Sequence, residues 1–415
     1  MGPSIDNQAH LLSDIRVIEV ASLIMAPTAA TILADFGADV IKVEDPGGDG
    51  LRRLHLIPGM PESEIPFCYI QINRNKRGIV LDLKHAEGKA ILHRLIESAD
   101  VFISNYRTAA IEKLGLTYDE LATVNPKLIY AHASGFGTSG PDAHRPGYDT
   151  VCYFARSGIE THIFPHDGWL SNQPPGTGDQ PTGMALYGAI MTALLHRERT
   201  GKGTDVSTSL IANGVWANAC MMQAQYCGAN FLEKRPHENA YNFTSLHYRL
   251  SDERIIRLTV VNIERDWDRF CQALGLEELT DDPRFCELQA RRQHMQEWIA
   301  ILDRRFGKHN AEEWCERLDR YDIPFALLPK NYADVANDPQ LDANDVVLEY
   351  EHPKWGALKT IDSPITLRDV PKREPAPAPE LGEHSREVLA ELGYDTETME
   401  GLIASGAVGA LGTEQ

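Results

Sequence analysis

Short apolar runs alternate with longer stretches of helical periodicity through the first half of the chain. Val17 to Val20 is a strand-like run, Pro27 is well placed as a first helical residue, Thr28 to Phe36 has helical spacing and stops at Gly37, and Ala38 to Val43 is apolar again. Strand, helix and strand in that order form a βαβ unit, which predicts a parallel sheet with right-handed crossovers. The alternation continues with a strand over Gly78–Leu83, a helix over Ala86–Ser98, a strand over Val101–Ser104, a helix around Ala109–Leu114 and a strand over Leu128–Ala133. The fold class is therefore α/β.

From about Gln225 the pattern changes. Tyr248 to Val261 reads as a β-hairpin around a polar turn. Trp267–Leu274 and Ala290–Phe306 then read as amphipathic helices, the second with Trp298, Ile301 and Leu302 on one face. Ile323 to Leu328 begins another extended portion, Pro371 to Pro379 reads as an extended surface connector, and a last helix is expected over Ser385–Leu392.

Composition narrows the class of protein. With 415 residues and 43% hydrophobic content, the chain exceeds what one core usually holds, so two domains are expected. A net charge of -20 argues against nucleic-acid binding and against adhesion to an anionic membrane, while leaving room for a local basic pocket. The seven cysteines are odd in number and scattered, which speaks against a disulfide framework or a zinc site and for a reducing cytoplasm. Met1 to Asn7 carries no export pattern, and no apolar run approaches the roughly 20 residues of a membrane span. The turn after the first strand, Ala21 to Pro27, also lacks the glycine fingerprint of a dinucleotide site.

The chemistry concentrates in Gly176-Thr177-Gly178-Asp179-Gln180-Pro181-Thr182-Gly183, ahead of a helix predicted from Met184 to Arg199. On position alone, Asp179 reads either as a helix cap or as a nucleophile. The flanking glycines allow positive φ and close approach of a substrate, and the helix N-terminus is expected to keep the carboxylate ionised at neutral pH. Phe154, Ile163, Phe164, Trp169, Trp216 and Met221 read either as core or as the lining of a bulky acyl site.

This turn, the basic run Arg197 to Gly203 and the strand-like Thr204 to Leu210 together resemble the family III CoA-transferases. That family contains the formyl-CoA and carnitine CoA-transferases and, as a branch, the 2-methylacyl-CoA racemases. The resemblance extends from Leu12–Val20 to Leu381–Leu389. It implies a Rossmann-like large domain with a parallel sheet, formed by residues 1–225 and 331–415, with a smaller α+β domain inserted at 226–330, and an interlocked homodimer. The implied partners are an acyl-CoA and a small carboxylic acid, with coenzyme A as part of the substrate, no tightly bound cofactor and no metal.

By the same resemblance Asp179 attacks the thioester carbonyl, forming an acyl-aspartyl anhydride and then an aspartyl-CoA thioester, with amides of the flanking glycine turns as oxyanion donors. Ile24 and Met25, the segment Leu81-Asp82-Leu83-Lys84, the segment Asn105-Tyr106-Arg107, Lys113, and Arg145-Pro146-Gly147-Tyr148 match CoA-contacting positions. Lys76, Arg77 and Lys84 read equally well as a solvated basic edge. Asp45 stands where formyl-CoA transferases carry an arginine, with Arg52 or Arg53 as candidate substitutes. Asn242 to Tyr248 holds no glycine-rich flap, so oxalate is not an expected acceptor. The competing activity is 2-methylacyl-CoA racemisation, whose histidine lies in a Gly-His-Asp triplet. Here the triplet is Gly147-Tyr148-Asp149, and a phenol is a poorer base than imidazole at neutral pH.

Overall fold

The computed structural model describes residues 10–165, 168 and 173–412. The amino-terminal stretch Met1–Asn7 and Trp169 therefore lie outside the described residues. Two compact units are present, one of Met1–Ile163, Ser171–Gly228 and Asn344–Gln415, the other of Phe164–Leu170 and Ala229–Ala343.

The first unit is built on a seven-stranded sheet. Its strands are β1 (Arg16–Val20), β2 (Asp39–Glu44), β3 (Arg77–Leu81), β4 (Val101–Ser104), β5 (Ile129–Ser134), β6 (Thr204–Ser209) and β7 (Val408–Gly409). They are ordered β7-β3-β2-β1-β4-β5-β6, all parallel except β7, which pairs antiparallel with β3. Side chains alternate between the faces of a strand, and here both faces are apolar. Val17, Val40, Val101 and Ile129 pack under the helices α1 (Met25–Asp35) and α3 (Asp179–Thr200). Ile18, Ile41, Ile79 and Phe102 pack on the opposite face with the Ala86–Glu97 and Ser385–Glu391 helices. Between the α1 and α3 segments lies α2 (Thr108–Leu114), which follows β4.

The second unit has an antiparallel three-stranded sheet of His247–Arg249, Ile255–Leu258 and Phe325–Leu327. Trp298, Trp314, Phe270 and Phe306 form its core. The predicted Ala290–Phe306 helix is two helices, Leu288–Gln293 and Met295–Phe306, separated at His294, which leaves helical geometry at φ -108 and ψ 22.

Other expectations are corrected as well. The helix predicted from Met184 starts at Asp179. Proline in a first helical turn costs nothing, because its missing N–H would have no partner there. The Pro371–Pro379 connector is extended but strapped down: Asn75 and Ala376 exchange N–H···O bonds of 3.2 and 2.7 Å, and the Pro379 carbonyl accepts from Tyr69 and Arg52. Several helices escape the apolar pattern, among them Phe67–Asn73, Tyr118–Val124, Ala311–Arg320 and Thr396–Ala404.

Candidate active site

Strand order reverses between β1 and β4, and in such sheets ligands bind beyond the carboxyl ends of the strands on either side of the reversal. A cavity of about 470 Å³ lies there. The β1–α1 turn forms one wall. Asn105, just past β4, accepts from the Ser22 amide at 3.0 Å and donates to the Ser22 carbonyl at 2.7 Å. His132 on β5 bonds the Tyr106 carbonyl through Nε2 at 2.8 Å; since a carbonyl only accepts, that nitrogen carries the proton. The loops after β4 and β1 are thus tied together and to β5.

The opposite wall depends on absent side chains. A Cβ on Gly147 would lie 2.7 Å from Cys152 Sγ and 2.8 Å from Gly135 Cα, so the loop after β5 and the Arg145–Tyr148 segment cross with no room for a methyl group. Asp149 follows, buried. Its carboxylate accepts from the Thr150 amide at 2.8 Å, starting the π-helical turn Thr150–Ala155, and from the Gly178 amide at 3.2 Å. Gly178 has negative φ and is required for closeness instead, because a Cβ there would meet Tyr153 and Asp149 within 2.9 Å. Gly176 is the residue of that turn with positive φ, at 82°.

Asp179 is the first residue of α3 and reaches the cavity. Its carboxyl is not held low by the helix terminus as expected. Burial, and then the negative charge of Asp149, raise it from 3.8 to about 7. Withdrawal of water from a carboxylate outweighs the partial charge of one helix end. Three of the flanking amides are also already used: Thr177 donates to Pro174, Gly178 to Asp149 and Gln180 to Gly176. The amides of Met25 and Ala26, in the first turn of α1, have no acceptor among the described residues, as is usual for a helix start.

The cavity brings together Asp179, Ile24, Met25, Asn105, Tyr106, Arg107, Arg145, Pro146, Gly147 and Tyr148. It does not include Leu81, Asp82, Leu83 and Lys84, at and just beyond the end of β3 two strands away from β1, or Lys113 in the last turn of α2. Lys84 and Lys113 are exposed. Lys76 is neither a solvated edge nor a phosphate ligand: it is buried and bonded to Glu19, Pro27 and Asn73. Arg77 is paired with Asp39, Glu387 and Glu391. Arg52 is occupied by Glu44 and Pro379 and cannot replace a missing phosphate contact; Arg53, on Gly47 beside Asp45, is exposed.

Among the described residues, none of the apolar candidates for an acyl site lines this cavity. Phe154 is core, while Trp216 is 81% exposed. Ser22, Leu23 and Leu210 line it without having been singled out from the sequence. For Ser22 and Leu23 the signal was available, since they are the residues immediately beyond the first βα strand.

The profile of CoA-transferase family III matches residues 12–385. The chain belongs to the family III CoA-transferases. It is 32% identical to (R)-2-hydroxy-4-methylpentanoate CoA-transferase of Clostridioides difficile, over 93% of this chain and 96% of that protein. It is also 32% identical to cinnamoyl-CoA:phenyllactate CoA-transferase of Clostridium sporogenes, over 96% and 97%. The crystal structure of a CaiB/BaiF family protein from Brucella suis superposes with a TM-score of 0.79 at 29% identity, covering 93% of this chain and all of that one at 100%. Among the described residues no helix is long and apolar enough to cross a membrane.

Proposed function

We propose that this family III enzyme moves CoA from an acyl-CoA to a free carboxylic acid, with Asp179 as the nucleophile. The observation that carries the reading is a single carboxylate, raised toward neutrality, in the cavity that Ile24, Met25, Asn105 and Arg107 also line. An Asp179 oxygen attacks the thioester carbon, the C–S bond breaks and CoA leaves as thiolate. The thiolate attacks the Asp179 carbonyl of the resulting anhydride, releasing the first acid and leaving an aspartyl-CoA thioester. The incoming carboxylate repeats both steps in reverse, and Asp179 is regenerated.

Each tetrahedral intermediate needs donors, and in this reading the Met25 and Ala26 amides supply them: neither has an acceptor among the described residues, and Met25 lines the cavity. One such donor is commonly worth about 3–4 kcal/mol. Arg107 and Arg145 serve the phosphates of CoA in this reading, and Arg107 is the stronger candidate. Arg145 is already paired with Asp142, whereas Arg107 has no carboxylate partner among the described residues. Leu81–Lys84 and Lys113 would contact the distal nucleotide, and the active form is a homodimer.

The test is incubation of the purified protein with several acyl-CoA donors and a panel of free acids that includes 2-hydroxy and dicarboxylic acids, followed by mass spectrometry in D₂O. Transfer without net thioester hydrolysis and without deuterium at the α-carbon is expected. Rapid α-deuteration of a 2-methylacyl-CoA with no transfer to any acid would establish the racemase instead.

Because only ionised Asp179 attacks, kcat/KM for the donor should fall tenfold per pH unit below an apparent value near 7. Asp149→Asn removes a charge that raises Asp179, so the acid limb should move to lower pH. A limb in the ordinary aspartate range in the unaltered enzyme would show that burial and Asp149 do not raise Asp179 in the free enzyme.

A further inference from the structure

Beneath the β1–α1 turn lies a group of charges with no part in the chemistry above. Glu19, on β1, Lys42, on β2, Lys76 and Asp49 are all buried. Lys42 Nζ lies 2.8 Å from Glu19 Oε1 and 2.9 Å from Asp49 Oδ2, and Lys76 Nζ lies 2.8 Å from Glu19 Oε2. Two cations and two anions balance, so the cluster buries no net charge.

Each of three members also grips the backbone of the turn. Lys42 donates to the Ala21 carbonyl at 3.1 Å, Asp49 accepts from the Leu23 amide at 3.0 Å, and Lys76 donates to the Pro27 carbonyl at 2.9 Å. These contacts bracket Met25 and Ala26. Leu23, one of the three residues held, has φ 63°, a left-handed conformation that costs a bulky side chain energy and persists only when its surroundings impose it. Asp49 holds the amide of that residue. Although burial pushes its carboxyl up, Lys42 and the Leu51 and Leu23 amides hold it below the ordinary value, so it is a firmly charged acceptor.

We propose that this cluster positions the Met25 and Ala26 amides for the transition state, with Asp49 as the decisive positioning residue. The proposal rests on the reading of the reaction given above. It goes beyond it by assigning part of the rate to side chains that touch no substrate. Buried ion clusters are poor sources of net stability, because desolvation consumes the Coulombic gain. Fixing a strained turn in one place is a use that such a cluster serves well.

Two substitutions separate positioning from stability. Asp49→Ala removes both the ion pair with Lys42 and the acceptor for Leu23. Asp49→Asn loses the ion pair but keeps Oδ1 for the Leu23 amide. Both variants should melt at lower temperature than the unaltered enzyme. Only Asp49→Ala should lose kcat, by about 30-fold or more, with KM for the acyl-CoA within about threefold in both. In the unliganded full-length protein, the Ala21–Thr28 peptide should exchange its amide hydrogens about tenfold faster in Asp49→Ala and at nearly the normal rate in Asp49→Asn. Equal kcat losses in the two variants, no loss in either, or an unchanged exchange rate in Asp49→Ala would each overturn the proposal. The exchange measurement does not depend on the reaction, so a fully active Asp179→Ala enzyme would defeat the functional reading while the clamp was still judged by exchange.

Discussion

Asp179→Ala should abolish CoA exchange, lowering kcat by roughly 10⁴-fold or more, as removal of a covalent nucleophile commonly does. Trapping provides a positive counterpart. Hydroxylamine added with an acyl-CoA should convert Asp179 to its hydroxamate, located by peptide mapping, and no such product should form in Asp179→Ala. Asp179→Asn should be equally inactive but more stable than the unaltered enzyme at pH 8. The carboxyl titrates near 7 in the folded chain against an ordinary 3.8, so the folded state binds more protons between those values and stability falls as pH rises through that window. The neutral amide escapes that loss. Its advantage should be absent at pH 4 and about 1–3 kcal/mol at pH 8 after allowance for partial solvent screening. Near-normal exchange by Asp179→Ala, or a hydroxamate found elsewhere, would remove Asp179 from the mechanism.

The sheet was readable because its strands, buried on both faces, appear as short apolar runs such as Val101-Phe102-Ile103. The start of α3 was not, because Pro181 and Gly183 both argue against a helix interior. Local propensity does not contain the α1 backbone against which Gly183 packs. The Tyr118–Val124 helix is short and buries Leu121 alone, but its capping box, Thr117 with Glu120, is a local signal that apolar periodicity overlooks.

Lys76 shows the limit of charge pattern. In Asn73-Arg74-Asn75-Lys76-Arg77 it looks like a basic edge, yet it is buried against Glu19. The informative residue was Glu19 itself, a carboxylate in the middle of an apolar strand, which requires a buried cation somewhere. Asp179 was found through the pattern around it. Its raised pKa was beyond reach, because it depends on burial and on Asp149, a residue of another loop brought close by Gly178.

Gly183→Ala should damage both stability and catalysis. Gly183 is one helical turn beyond Asp179 and therefore on the same side of α3. That side meets the first turn of α1: a Cβ on Gly183 would lie 2.5 Å from the Met25 carbonyl oxygen and 2.6 Å from Thr28 Cβ. The obstacle is backbone on one side and a branched carbon on the other, so no flexible side chain can give way. The helices must separate by something on the order of 1 Å, at a cost of about 1–3 kcal/mol. The separation moves the first turn of α1, with Met25, away from the first turn of α3, with Asp179, and both residues line the cavity; a misplacement of that size can lower kcat by about 10²-fold. Gly188→Ala, farther along α3, is the control. A Cβ there meets nothing within 4 Å, so alanine should stabilise the helix by about 0.5–1 kcal/mol and leave kcat unchanged. If Gly183→Ala matched the unaltered enzyme in kcat, the spacing of α1 and α3 would not set the reaction geometry, and the Met25 and Ala26 amides would lose their role as donors.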